Sequence, residues 1–162
     1  MPPVLKGAAL IVPGGLLRAL GEVESLAPNF VAEDPFTRAE SERISMESVM
    51  GTERALGHSP RDVSLEKKGW DIESRHGETG HLRFIEVKGR HAEGRDLILT
   101  KNEILASLNA SEQFILAVVQ IENGFAREPV YVRNFFNREL GFGETAVVFN
   151  VRDLLSLGTQ PA

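Results

Sequence analysis

Cysteine is absent from the 162 residues, which excludes disulfides, thiolate metal ligands and a cysteine nucleophile and is compatible with a reducing cytoplasm. Long apolar runs are missing too. Stretches such as Ala8 to Pro13 and Phe114 to Val119 fall far short of the roughly 20 residues that cross a bilayer. The N-terminus has no signal-peptide pattern, so a soluble, cytoplasmic chain with no membrane partner is expected. An excess of positive charge, the usual footprint of an autonomous nucleic-acid binder, is lacking: the formal net charge is −5. No internal repeat or low-complexity tract occurs. What is present, 42% hydrophobic residues, suffices for one ordinary domain. That domain is expected over residues 36–162, with residues 1–35, broken at Pro13-Gly14-Gly15, as an accessory extension.

Chemistry concentrates between Gly69 and Arg90. Gly69-Trp70-Asp71-Ile72-Glu73-Ser74 and the run from His81 to Arg90 are rich in β-branched and aromatic residues, and the turn-like residues 75–80 separate them, so they read as a hairpin. Side chains alternate on a strand, which puts Glu86 and Lys88 on one face and Ile85 and Val87 on the other. The hairpin then brings Asp71 beside Glu86. Two adjacent carboxylates repel unless a cation lies between them, and hard oxygen donors suit Mg²⁺ or Mn²⁺. A lysine two residues beyond the second acid can hold a phosphate, orient a water or offset developing negative charge. The competing reading is a solvated strand edge, the commoner setting of a Glu-x-Lys triplet. Trp70 and Ile72 are expected to bury together, with Asp71 facing away from both.

The remaining elements read as follows. A helix is predicted over Thr37–Leu56 with Gly57 as its stop, and a short strand over Arg61–Leu65. A third strand is predicted over Asp96–Thr100, and a second helix over Lys101–Leu108 with Thr100 as N-cap. Strands over Glu112–Glu122, Pro129–Phe135 and Ala146–Asn150 and a terminal helix over Val151–Leu157 complete the pattern. Asn102 and Glu103 are candidates for the site or for the cap of the second helix. Positive charge gathers locally at Arg83, Lys88, Arg90, His91, Arg95 and Lys101, and Arg90, His91, Arg95 and Lys101 are the candidate DNA contacts. The four histidines have no zinc-ligand spacing.

The strings DVSLEKKGWDIES, RFIEVKGR, LILTKNEILASLN and FILAVVQI resemble the NO VEIN C-terminal domain family, a branch of the PD-(D/E)xK, or restriction-endonuclease-like, superfamily, over roughly residues 44 to 122. The resemblance implies an α/β fold: a helix, a three-stranded meander, a second helix and a further strand in a mixed sheet. It implies Asp71 and Glu86, with the Val87 carbonyl, as ligands of Mg²⁺ or Mn²⁺, and Lys88 as the catalytic lysine. The segment from Thr100 to Glu103 is similar to a family signature at the start of the second helix. Related nucleases often present a carboxylate from the first helix, for which Glu47 is the candidate. Glu53 is the weaker rival, because six residues place it about 240° round the helix from Glu47. Residues 1–64 resemble the C-terminal region of SNF2-type helicases of phage defence, which implies DNA and a helicase as partners. The expected function is a metal-dependent DNA endonuclease, and the alternative is a catalytically silent DNA-docking or sensing module.

Overall fold

The computed structural model describes residues 35–162. The accessory extension expected over residues 1–35, and with it most of the helicase-like flank, lies outside the described residues. Helix α1 (Pro35–Ala55) comes first. Its buried positions Ser41, Ser45, Val49 and Glu53 recur every four residues and so form one stripe. On the opposite face Arg43 pairs with Glu40 and Glu47, three and four residues away, and Arg38 pairs with Glu42 near the start of the helix. Gly57 closes the helix at φ +81°, a left-handed conformation that costs little only without a Cβ.

Strands β1 (Ser59–Asp62), β2 (Ile72–Arg75) and β3 (Leu82–His91) form an antiparallel meander. Strand β4 (Asp96–Thr100) and helix α2 (Lys101–Asn109) then carry the chain to β5 (Phe114–Glu122), which lies parallel to β3 from Phe84 to His91. Two short strands, β6 (Phe125–Ala126) and β7 (Val130–Val132), run antiparallel to β5 and complete a six-stranded mixed sheet. Strand β8 (Ala146–Asn150) and helix α3 (Val151–Leu157) end the fold. This is the mixed α/β class expected, with a helix, a meander, a helix and a further strand in that order. One membership differs. The segment Asp96–Thr100 is a strand, but it pairs with β8 in a separate two-stranded sheet, and β1 takes the third place in the meander. β3 is paired by β2 over Leu82–Ile85 on one side and by β5 over Phe84–His91 on the other, and β4 pairs with neither of its edges.

The sheet is covered on both faces. Val49 of α1 packs with Ile72, Ile85, Ile115, Ala117 and Val119 on one side. Leu97, Leu99, Ile104, Phe114, Leu116, Val118 and Leu154 pack on the other. Burial on both sides explains why β5 reads as a continuous apolar run, Phe114 to Val119, rather than an alternating one. Each fully buried Ile or Leu here contributes about 1.5–3 kcal/mol relative to exposure. Trp70 and Ile72 do not bury together. Ile72 joins the α1 side, whereas Trp70 stacks on Phe84 with centroids 4.3 Å apart in the other cluster. Alternation holds only inside a strand, and β2 begins at Ile72; before it, Gly69 at φ +92° turns the chain against α2, where a Cβ would come within 2.9 Å of Ala106 Cβ. Among the described residues no helix is long and apolar enough to cross a membrane.

Candidate functional site

Ile72 pairs with Ile85 across β2 and β3, so Asp71 and Glu86 are the next step of that ladder and share the sheet face opposite Ile85. The strand β2 goes no further toward this end. Val87 therefore has no strand neighbour for its N–H, and the Asp71 carboxylate takes the role, accepting at Oδ2 from Val87 N at 3.0 Å. The main-chain carbonyl of a strand residue leaves on the same side as its N–H, so the Val87 carbonyl is directed to the Asp71 side of β3.

Lys88 reaches two carboxylates from different elements. Its Nζ lies 2.6 Å from Glu86 Oε1 and 3.1 Å from Glu103 Oε1. Glu103 is the third residue of α2, and its other oxygen accepts from the Thr100 N–H at 2.9 Å while Thr100 Oγ1 accepts from the Glu103 N–H at 3.4 Å. This reciprocal pair is a capping box. The two expectations for Glu103, cap or site, are thus both met by one side chain with two oxygens.

Burial sets the electrostatics. Glu86 is only 3% exposed, which removes the solvated-edge reading of the Glu-x-Lys triplet. Its carboxyl is pushed well above 4.5 by desolvation, against the pull of Lys88 and with a further push from Asp71. Asp71 is raised from 3.8, again by desolvation, opposed by the Val87 N–H and by Lys88. Lys88 is drawn down by burial, yet Glu86 and Glu103 outweigh that and leave it above 10.5. The site therefore carries carboxylates whose charge is poorly solvated and a lysine that stays protonated.

Other sequence candidates fall elsewhere. Glu47 does not approach the acids: it is exposed and bonded to Arg43 at 2.7 Å. α1 packs on the face that carries Ile72 and Ile85, whereas Asp71 and Glu86 project from the opposite one, so the sheet itself separates them. The inward carboxylate of α1 is Glu53, fully buried, accepting from Tyr131 Oη at 2.8 Å and from Arg83 at 3.4 Å. Sequence reasoning ranked it below Glu47; its four-residue spacing from Val49 was the available signal. Asn102 is exposed in the first turn of α2. Of the basic candidates, Arg90 lies on the same face of β3 as Lys88 by alternation, and His91 on the other. Arg95 is exposed in the β3–β4 turn, and Lys101 opens α2 half-buried.

Among the described residues no three His, Asp or Glu side chains converge as a metal cage. The oxygen atoms that could hold an ion are the carboxylates of Asp71 and Glu86 and the Val87 main-chain carbonyl. Glu86, an acid whose ionisation is opposed by burial, gains most from a nearby cation, and hard oxygen donors with positions left for water suit Mg²⁺ or Mn²⁺. The residues fit such an ion. No curated protein and no solved structure matches the chain. The model of one family does match, over residues 41–132, which is more than half the chain and takes in α1 from Ser41, the meander, α2, β5 and β7. The chain belongs to the family of Protein NO VEIN, C-terminal.

Proposed function

We propose that this chain is a divalent-metal-dependent deoxyribonuclease domain with a restriction-endonuclease-like, PD-(D/E)xK core. The observation that carries the reading is the grouping of Asp71, immediately before β2, with Glu86 and Lys88 of β3 on one covered face of the sheet, with Lys88 Nζ 2.6 Å from Glu86. Asp71, Glu86 and the Val87 carbonyl would hold Mg²⁺ or Mn²⁺. When bound, that ion supplies Lewis-acid polarisation of a phosphoryl oxygen and neutralises charge at the leaving oxygen. Lys88 binds a phosphate oxygen or orients the attacking water through its ammonium, and its raised pKa keeps it a donor at neutral pH. Glu103 and the α2 cap fix the lysine from behind. Trp70 and Phe84, which stack on each other and neighbour Asp71 and Glu86 in sequence, would limit access of bulk water.

Duplex, single-stranded and branched DNA incubated with the purified chain and Mn²⁺ or Mg²⁺ test this. Cleavage by wild type and its loss in Asp71→Asn and in Lys88→Ala are expected; wild-type activity in either variant refutes the assignment. The fit to DNA is local rather than global, since net charge is −5. A helicase or translocase in the same chain or complex, working in phage defence or DNA processing, would bring the substrate to the site at an effective concentration up to about millimolar.

One observation favours a second reading, a silent docking or sensing module. The Lys88 ammonium already neutralises Glu86, so the site can persist without an added cation. Calorimetric titration with Mn²⁺ separates the two: binding that Asp71→Asn and Glu86→Gln abolish supports the nuclease, and its absence in wild type supports the docking module.

A further inference from the structure

Lys88 is poised between two acids that are not equivalent. Glu86 belongs to the same strand as Lys88 and to the proposed metal donors. Glu103 belongs to α2, and its carboxylate is anchored at the far oxygen by the Thr100 N–H at 2.9 Å. α2 is itself fixed by buried Ile104 and Ala106. We propose that Glu103 is the positioning residue of this site: it gives the Lys88 ammonium a carboxylate of its own, so that Glu86 is left to take a divalent cation. The inference rests on the metal-dependent reading above and assigns a part to a residue outside the donor set.

The reasoning is one of partners. The side chains of Lys88 and Glu103 are 23% and 16% exposed, so water is a poor substitute for either. A cation at Glu86 draws that carboxylate away from Lys88. With Glu103 in place the ammonium keeps one acceptor at 3.1 Å; without it the cation would strand a largely buried charge, which is costly. Because Glu103 is tied to the cap, it holds Nζ at a set point instead of following it.

Calorimetry with Mn²⁺ and thermal unfolding of the metal-free full chain test the proposal together. Glu103→Gln keeps an acceptor for the Thr100 N–H, and so the cap, but removes the charge that holds Lys88. Its Mn²⁺ affinity is expected to fall about tenfold, some 1.4 kcal/mol, with the unfolding midpoint within about 3 °C of wild type. Thr100→Ala, which breaks the cap and spares the carboxylate, should lower the midpoint and leave affinity within about twofold. Wild-type affinity in Glu103→Gln overturns the role of Glu103 alone and leaves it a cap. Absence of Mn²⁺ binding in wild type overturns the metal reading, and this role with it.

Discussion

Gly89 follows Lys88 on β3 and faces α1, so its replacement by alanine probes the packing that holds the site's strand in place. An added Cβ would overlap Ser45 Oγ and lie 3.0 Å from Ser41 O and 3.2 Å from Ser45 Cβ. None of these yields easily. Ser45 is fully buried and its hydroxyl donates to Ser41 O at 2.7 Å, while Ser41 O is helix backbone. The helix and the strand must therefore separate, loosening the contact that buries Val49 against Ile85 and Ile115. Overpacking of this kind costs about 1–3 kcal/mol. Alanine returns about 0.4–1 kcal/mol by restricting the unfolded chain, and Gly89 is not among the left-handed glycines, so the backbone itself tolerates the change. The net expectation is a loss of roughly 1–2 kcal/mol, read as a lower urea midpoint at unchanged slope. Ser45→Ala deletes the overlapping oxygen, so Gly89→Ala/Ser45→Ala should recover at least half of that loss. A Gly89→Ala protein as stable as wild type, or a double variant no better than Gly89→Ala, would refute the close-approach argument.

Other perturbations read the charges. Glu86 has its folded pKa raised above 4.5 by burial; above that value the folded state holds the proton more tightly than the unfolded chain, so Glu86 opposes folding at neutral pH and the opposition fades on acidification. In metal-free protein Glu86→Gln should therefore gain on wild type as pH rises from about 5 to about 8, and a constant stability difference across that range would contradict it. Glu73 has the opposite sign: hydrogen bonds from Lys68 and Arg61 hold its carboxyl at about 2, so its contribution is present above 4.5 and lost as pH falls through 2. Urea unfolding of Glu73→Gln should show a deficit of about 1 kcal/mol at neutral pH that disappears near pH 2; a deficit independent of pH would rule out the ion pairs as its cause. Tyr131→Phe leaves fully buried Glu53 with only the 3.4 Å contact to Arg83, which should cost about 2 kcal/mol in thermal or urea unfolding. A change below about 0.5 kcal/mol would mean that the hydroxyl contributes little.

What could be read from the chain follows from which physical rules are local. The hairpin pairing of Asp71 with Glu86 needed only strand alternation and the turn at residues 75–80, and Lys88 followed from the same period. The capping box was legible at Thr100 and Glu103 because a cap is made within one turn. Rules that depend on the partner element failed. Glu47 and Glu53 lie on one helix, and periodicity separates their faces without saying which face meets the sheet. Here Ser41, Ser45 and Val49, small side chains at four-residue intervals that all bury, decide it in favour of Glu53. Trp70 was misplaced because alternation was carried two residues ahead of the strand, up to a glycine at φ +92°. The pairing of β4 with β8 joins segments some 50 residues apart, and no local pattern specifies it.

The charge pattern of the described surface bears on how such a domain would meet DNA. Many of its cations are engaged internally: Arg38 with Glu42, Arg43 with Glu40 and Glu47, Arg61 and Lys68 with Glu66 and Glu73, and Arg138 with Glu144. Exposed pairs of this kind stabilise the fold by at most about 1 kcal/mol each, but they leave less positive potential for a polyanion. Of the candidate contacts, Arg90 shares the Lys88 face of β3 by alternation, Arg95 is exposed in the β3–β4 turn and Lys101 opens α2. Roughly three phosphate contacts imply a salt slope near −3, far from the steep dependence of a high-affinity binder. A nuclease of the proposed kind, gripping DNA so lightly, would cut only what is delivered to it. In the proposed setting the translocase supplies affinity and the acidic domain supplies chemistry, a division that also restrains cleavage of DNA met by diffusion alone.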